Sequence, residues 1–335
     1  MGAWKEYGMF CRDHDLNPRL PSSQRSWLYG EAPRAISIDD DRDLTWDEIE
    51  ELTGGTVGTF NVPCPYCGPD KPDSTRFQVK RLSFGSATWH CFYCGASGSA
   101  RSEEQFDPER EAQARRTAAE RERQLKAERA ARGFRLWEEA VSVRGSPVEG
   151  YLAARAIHDL PPNVDEVLRY HPRCPFGREG ARGAMLALFR DVINDEPRAV
   201  HRTWITSSGR AMRRMALGPI ARAAIKLWPR EGDRLVIGEG IETVLSAALY
   251  LENPRDAQPL RPAWALTVAN NVEYFPVVRG IRRLVILVDN DKSGVGRETA
   301  EACSQRWCDA RREVLKLIPE GTGRDFNDIV KERNK

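Results

Sequence analysis

The last hundred residues contain short apolar runs that each end in acidic residues, and this pattern constrains the fold more than any other feature. The runs Leu235–Ile237 and Leu284–Val288 are unbroken and rich in branched side chains, as is typical of strands buried on both faces of a parallel sheet. A helical pattern follows each run, at Ile241–Leu251 and Glu298–Ala310. We therefore predict a small parallel sheet with strands at 234–238, 263–269, 283–289 and 312–318.

The acidic residues stand where such a sheet binds ligands. Glu239 follows the first run, and Asp289 and Asp291 follow the second. Ligands of open α/β sheets bind beyond the carboxyl ends of the strands. Carboxylates held close together repel one another unless a cation neutralises them, and oxygen ligands suit Mg²⁺ or Mn²⁺. The pattern therefore indicates an enzyme that transfers phosphoryl or nucleotidyl groups with the help of a divalent metal.

Two CxxC pairs indicate a second metal site. Cys64 and Cys67 form the first pair, Cys91 and Cys94 form the second, and twenty-three residues separate the pairs. Four cysteines in this spacing complete a tetrahedral Zn²⁺ site with no open position, and such a site is structural. Gly95, directly after the second pair, permits the tight turn that a zinc knuckle requires.

Basic and aromatic residues lie between the two cysteine pairs. Arg76 and Lys80 could contact phosphates, while Phe77 and Trp89 could stack on the bases of a single strand. The alternative is that Phe77, Val79 and Trp89 form the core of the zinc ribbon. The sequence does not decide between these two interpretations.

Charge is concentrated in one segment of the chain. Residues 169–230 hold thirteen Arg and Lys against four Asp and Glu, a local excess of +9, although the net charge of the whole chain is only +2. A basic stretch beside an acidic metal site indicates a surface that follows a polyanion.

These features divide the chain into five parts. We predict an N-terminal segment of unknown role at 1–58, a zinc ribbon at 59–100, a charged helical linker at 101–132, a basic subdomain at 133–231 and a catalytic domain at 232–335. The first twenty residues are polar and show no signal-peptide pattern, and no apolar run approaches the ~18 residues of a membrane span. We expect a cytoplasmic protein that does not contact a membrane.

Three motifs resemble those of the Toprim domain, the metal-binding module of bacterial-type primases, topoisomerases and recombination proteins. They are GEGIET at 238–243, VDNDKSG at 288–294 and RDFNDIV at 324–330. A zinc ribbon, a basic region and this module in that order resemble DNA primases of bacterial, phage and plasmid type. The resemblance implies an α+β multidomain protein with an N-terminal Cys₄ zinc ribbon, a mixed α/β basic subdomain and a C-terminal α/β Toprim domain.

The resemblance also implies roles for individual acids. Glu239, Asp289 and Asp291 match the catalytic residues that hold Mg²⁺, and Asp325 and Asp328 match a trailing acidic motif that completes the metal surroundings. Asp325 is equally placed to cap the last helix. We interpret Glu242 as a charge that complements the start of a helix rather than as a ligand.

The activity implied is synthesis of short primers on single-stranded DNA by Mg²⁺-dependent nucleotidyl transfer. The candidates for binding the nucleoside triphosphate or the template are Arg202, Arg213, Arg214 and Lys226, in addition to Arg76 and Lys80. The sequence has no GxxxxGK[ST] phosphate loop, so we expect a separate helicase as partner. Two alternatives stay open, namely a recombination mediator that binds DNA without catalysis and a Toprim nuclease.

Overall fold

The computed structural model describes residues 4–9, 43–62, 64–67, 77–83, 85–92, 94–102, 108–206 and 208–333. The chain forms two compact units. One unit comprises Leu16–Leu125, and the other comprises Met1–Asp15 together with Lys126–Lys335.

The smaller unit is a zinc-ribbon-like sheet with one helix. Four antiparallel strands lie in the order β2-β3-β4-β5. Its elements are α1 (Trp46–Thr53), β2 (Gly58–Val62), β3 (Phe77–Ser83), β4 (Ser86–Cys91) and β5 (Ser97–Arg101). Helix α1 begins with a capping box, in which Thr45 and Glu48 bond each other's backbone amides, and it ends at Gly54 in the left-handed conformation.

The core of the smaller unit lies on one face of the sheet. Phe77, Val79 and Trp89 are buried there with Leu44 and Ile49. Because strand residues alternate between faces, their neighbours Gln78, Lys80 and His90 face away from this core. The interpretation of Phe77 and Trp89 as base-stacking residues is therefore wrong, and their role is structural.

The charged segment forms one long helix, α2 (Pro108–Glu139), which extends past the predicted linker at 101–132. Phe134 and Trp137, which lie in the predicted basic subdomain, continue this helix and pack on the larger sheet. Gly133 permits that contact, because a Cβ at this position would lie 3.1 Å from the carbonyl oxygen of Leu217. No helix in the described part of the chain is both long and apolar enough to cross a membrane.

The larger unit is built on a ten-stranded sheet. Its strands are β1 (Trp4–Met9), β6 (Leu168–Pro175), β7 (Ala181–Asp191), β8 (Pro197–Ile205), β9 (Ala211–Leu217), β10 (Ala223–Ile225), β11 (Arg234–Gly238), β12 (Ala263–Ala265), β13 (Arg283–Leu287) and β14 (Glu313–Pro319). Its helices are α3 (Pro147–Ala153), α4 (Val164–Val167), α5 (Ile241–Tyr250), α6 (Ala269–Glu273), α7 (Val295–Asp309) and α8 (Phe326–Arg333).

The strand order is β1-β14-β13-β11-β12-β10-β7-β8-β9, with β6 beside β7. Strands β14, β13, β11 and β12 are mutually parallel, as predicted, and the strands from β10 to β9 are antiparallel. The two halves are joined by the pairing of Ile225 with Ala265. The basic subdomain and the parallel sheet thus share one continuous sheet rather than two.

Helices cover both faces of this sheet. Helices α3, α5 and α8 contribute to the apolar core on one face. Phe275 and Trp307 pack in the core on the other face, with residues of α6 and α7. A parallel sheet covered on both faces is the architecture that the apolar runs require.

Two predicted boundaries differ from the structure. Strand β12 ends at Ala265, because the chain turns at Thr267, whose backbone has φ 62° and whose amide bonds the carbonyl of Glu239. The segment 1–58 is divided between the units: β1 pairs antiparallel with β14, whereas α1 packs in the smaller unit.

Candidate functional site

The four cysteines of the smaller unit converge. Their sulfur atoms all lie within 4.8 Å of one another, with Cys64 Sγ 3.9 Å from Cys94 Sγ and Cys67 Sγ 3.7 Å from Cys91 Sγ. Sulfurs placed tetrahedrally around Zn²⁺ at ~2.3 Å are about 3.8 Å apart. Gly95 turns the second knuckle at φ 77°, and the Cys94 amide donates to Cys91 Sγ. The residues therefore fit a structural Zn²⁺ ion.

The ribbon carries an exposed aromatic residue that sequence reasoning missed. Phe92 is 68% exposed, and its ring meets the ring of His90 edge-on at 4.9 Å. Lys80 is also exposed, on the sheet face turned away from the core. Arg76 lies outside the described residues. The alternation along β4 is the signal that could have found Phe92. Trp89 and Cys91 face the core, so His90 and then Phe92 fall at outward positions.

The predicted acids gather at the carboxyl ends of two neighbouring parallel strands. Glu239 directly follows β11, and Asp289 follows β13, whose Leu287 pairs with Gly238 of β11. Burial raises the pKa of Asp289 to about 7, and the charges of four other acids add to the effect. Those four acids are Asp325, Glu239, Asp291 and Asp328. The structure thus brings all five predicted residues into one electrostatic cluster.

Asp289 has an unsatisfied oxygen. Its Oδ1 is buried and has no hydrogen-bond partner within the described part of the chain. Burial and the neighbouring charge of Asp291 also raise the pKa of Glu239, which is half-buried. An orphaned carboxylate oxygen among repelling carboxylates is the environment that a divalent cation relieves. The donor set is all oxygen, which fits Mg²⁺ or Mn²⁺.

The acids do not form a closed cage. Among the residues that the structure describes, the cysteine cluster is the only group of three or more metal-binding side chains whose ligand atoms lie within 4.8 Å. Mg²⁺ usually keeps several water molecules and is held by one or two carboxylates plus substrate phosphates. An open arrangement of Glu239 and Asp289 agrees with that mode of binding.

Asp325 caps α8 and also lies in the acidic cluster. Its Oδ1 accepts from the amide of Asp328 at 2.9 Å, and Asp328 Oδ2 accepts from the amide of Asp325 at 3.3 Å, which caps α8. Asp325 Oδ2 accepts from Thr243 Oγ1 at 3.3 Å. The same carboxylate raises the pKa of Asp289, so helix capping and membership of the acidic cluster coexist.

Asp291 is the exposed member of the cluster. Its Oδ1 accepts from Ser293 Oγ at 2.9 Å and from the amide of Gly294 at 2.8 Å. These bonds fix the turn that leads into α7.

Asn290 supports the cluster, although sequence reasoning did not select it. It is 5% exposed, and its Nδ2 donates to the carbonyls of Pro319 and Gly321 at 2.9 and 2.8 Å. Its Oδ1 accepts from Arg297 at 2.6 Å. Asn290 therefore ties the loop that carries Asp289 to the loop that precedes Asp325.

Glu242 bonds residues outside the acidic cluster. It is 7% exposed and accepts from Tyr151 Oη and, at 3.1 Å, from Arg214 Nη2. Burial alone would raise the pKa of Glu242, but the Arg214 guanidinium and the Tyr151 hydroxyl lower it below its usual range. Besides placing a charge at the start of the helix, Glu242 therefore forms an ion pair in which its own carboxylate is buried and the Arg214 side chain is 48% exposed.

The predicted phosphate-binding residues are dispersed. Arg213 and Arg214 are adjacent on β9 and so point to opposite faces of the sheet, where Arg213 pairs with Glu179 and Arg214 with Glu242. Lys226 Nζ lies 2.7 Å from Asp195 and 4.5 Å from the centre of the Trp264 ring.

The assignment of Arg202 to a phosphate contact is contradicted. Arg202 is 4% exposed, and its guanidinium donates to the carbonyl of Pro175 and lies over the ring of Phe176. Residues 199–203 of β8 are all buried, so Arg202 lies in a stretch that is covered on both faces of the sheet, which charge counting along the sequence cannot detect.

Comparison with known proteins agrees with the geometry of the acidic cluster. Residues 234–335 match the family described as Toprim domain, so this part of the chain is a Toprim domain. Residues 127–227 match a family described as a domain of unknown function, DUF7146. No curated protein matches the chain.

One solved structure is similar over most of the chain. It is the crystal structure of the primase fragment of the bacteriophage T7 primase-helicase protein, with 15% sequence identity and a TM-score of 0.33. The match covers 82% of this chain and 95% of that one.

Proposed function

We propose that this Toprim-containing chain is a DNA primase that joins nucleotides into short oligonucleotides on single-stranded DNA. The observation that carries the proposal is Asp289, a half-buried carboxylate whose Oδ1 is buried and orphaned among four other acids of a Toprim domain. The Cys₄ site supports it, because a folded zinc ribbon supplies a second surface for the template strand.

Nucleotidyl transfer requires little covalent chemistry from the protein and much positioning. When bound, the divalent cations would lower the pKa of the attacking 3′-hydroxyl and stabilise the leaving pyrophosphate. Glu239 and Asp289 would hold them from neighbouring strand ends, and Asp291 would do so from the solvent side. Asn290 and Thr243 would keep the carboxylates of these loops in place through the bonds described above.

Nucleic acid would contact the protein through its exposed basic and aromatic side chains. On the ribbon, the exposed side chain of Lys80 would pair with template phosphates, and the exposed ring of Phe92 would stack on a base. Arg76, which lies outside the described residues, stays a candidate from the sequence alone. In the larger unit, Arg213, whose side chain is 46% exposed, is the candidate for the triphosphate or the template. The Lys226 side chain is 12% exposed and paired with Asp195, so it would have to leave Asp195 to take that role. A separate helicase would supply the single strand.

One assay separates this proposal from its alternatives. The zinc-loaded protein is incubated with single-stranded DNA, Mg²⁺ and labelled nucleotides, beside the Asp289→Ala variant. Short labelled oligonucleotides that are lost in the variant support primer synthesis. DNA binding without product, unchanged in the variant, favours a recombination mediator, and fragmentation of the template that depends on Asp289 favours a nuclease.

A further inference from the structure

The first turn of α5 links three parts of the larger unit. It begins two residues after Glu239, and its N-cap is Gly240. Glu242 extends from this turn to Arg214 on β9 and to Tyr151 on α3. The next residue, Thr243, donates to Asp325 in the acidic cluster. A single helical turn therefore contacts the DUF7146 region on one side and the acids on the other.

The first turn of α5 is tightly packed against its neighbours. A Cβ at Gly240 would lie 2.9 Å from Thr243 Oγ1, and a Cβ at Gly238 would lie 2.8 Å from Val244 Cγ2. Because tightly packed elements transmit displacements rather than absorb them, a shift of Glu242 would carry Thr243 and the end of β11 with it.

Glu242 keeps its position only while its charge is compensated. The carboxylate is 7% exposed, and its described donors are the Arg214 guanidinium and the hydroxyl of Tyr151, which is 0% exposed. A buried carboxylate that loses its cation must take up a proton or move towards water. Either change acts on the turn that bonds Asp325.

We propose that Arg214 and Tyr151 are positioning residues for the metal-binding acids, acting through Glu242 and the first turn of α5. The inference gives the DUF7146 region a role in the Toprim site: it supplies the counter-charge to the buried Glu242 carboxylate and so fixes this turn. It rests on the proposed metal site but not on primer synthesis.

The sign of the effect distinguishes positioning from simple electrostatics. Arg214 is a cation near an acidic cluster, so removing it would strengthen the binding of Mn²⁺ if it acted only through its charge. If it positions the acids, removing it weakens Mn²⁺ binding. Loss of a residue that orients metal ligands typically costs ~10–100-fold in metal affinity.

The test is a titration of the zinc-loaded full chain with Mn²⁺, followed by electron paramagnetic resonance of the free ion. We expect Arg214→Met to weaken Mn²⁺ binding about tenfold. Arg198→Met is the matched control, because Arg198 pairs with the buried carboxylate of Asp191 at 3.2 Å in the same region, and it should leave the affinity unchanged.

Two further variants separate positioning from misfolding. Tyr151→Phe keeps the ring but removes one donor, and it should weaken Mn²⁺ binding less than Arg214→Met. The double variant Arg214→Met/Glu242→Gln removes both charges of the pair and keeps an acceptor for Tyr151, so it should recover most of the lost affinity. A general loss of structure would not be rescued by a second substitution.

The possible outcomes distinguish failure of the positioning role from failure of the metal site. Unchanged or tighter Mn²⁺ binding in Arg214→Met, or no recovery in the double variant, overturns the positioning role while leaving the metal site intact. If Asp289→Asn does not abolish the Mn²⁺ site of the otherwise unaltered protein, the metal site itself is overturned, and with it this inference. Primer synthesis is then judged separately by its own assay.

Discussion

At Asp289, burial and charge act in the same direction. Burial raises the pKa of this carboxyl from 3.8 to about 7, and Asp325, Glu239, Asp291 and Asp328 add their repulsion. The sequence alone could place acids at strand ends, because the pattern of apolar runs is local. It could not show which acid has a buried oxygen without a hydrogen-bond partner, because that depends on how α7 and α8 pack against the sheet.

Neutralising Asp289 should stabilise the metal-free protein. The folded state retains the proton of this carboxyl up to about pH 7, whereas the unfolded state releases it near pH 3.8, so the destabilisation is complete at pH 8. Asp289→Asn should therefore raise the free energy of unfolding by about 2–4 kcal/mol at pH 8, at ~1.4 kcal/mol per pKa unit. Denaturant titration without divalent ions measures this, and Asp256→Asn, which breaks an ion pair with Arg234, should show no gain.

His201 should make stability depend on pH. Burial lowers the pKa of this imidazole to about 4, against an opposing pull from Glu242. Between pH 6.5 and pH 4, His201 binds a proton in the unfolded chain but stays neutral in the folded chain. The free energy of unfolding therefore falls as the pH falls, by about 3 kcal/mol from this group. Urea titrations across this range should show a shallower slope for His201→Gln. An equal slope in His201→Gln, or the same flattening in the exposed-site control His158→Gln, would contradict the assignment.

At the scale of elements, local sequence patterns predicted the strands and helices, but they did not predict which side chains are buried. The strand at 234–238 and the helix from Ile241 follow from branched apolar runs and matched the structure closely. The burial of Arg202 and Phe77 depends on how their strands pair with strands distant in sequence and on what covers the sheet. Likewise, the sequence predicted a boundary between linker and subdomain at Gly133, whereas α2 runs through this glycine and approaches β9 closely there.

Helix α7 should reject a side chain at Gly296. A Cβ there would lie 2.8 Å from the carbonyl oxygen of Asp289, so Gly296→Ala should destabilise the protein and displace Asp289. Gly150 is the matched control: it is also helical, nothing lies within 4 Å of its Cβ position, and Gly150→Ala should stabilise by about 0.5–1 kcal/mol through helix propensity. Thermal unfolding of both variants tests the opposite signs, and stabilisation by both would contradict the close packing at Asp289.

The outward face of the ribbon should bind single-stranded DNA through Phe92. Stacking of one base on an aromatic ring contributes about 1–3 kcal/mol, so Phe92→Ala should weaken binding by roughly 5- to 100-fold. Leu82→Ala removes another exposed apolar side chain, 51% exposed, and should change the affinity little. Fluorescence anisotropy with a labelled oligonucleotide measures both. Equal effects of the two substitutions would remove the case for stacking.

At the scale of the whole molecule, the sequence identified the modules but not the strand pairings that join them. The CxxC pairs and the Toprim motifs are local in sequence and were recognisable. The pairing of Ile225 with Ala265, which makes one sheet of two regions, spans forty residues and has no local signature. The same holds for β1, whose partner β14 lies at the other end of the chain, and for the ion pair of Arg214 with Glu242.

Mass analysis of the products made on circular single-stranded DNA tests the central claim most directly. With Mg²⁺ and all nucleoside triphosphates, a primase starts a new strand, and the first nucleotide keeps its 5′-triphosphate. The account predicts short oligonucleotides that are complementary to the circle, carry a 5′-triphosphate and are absent with Asp289→Asn. An intact circle without new oligonucleotides, or fragments with the sequence of the circle itself, would contradict it.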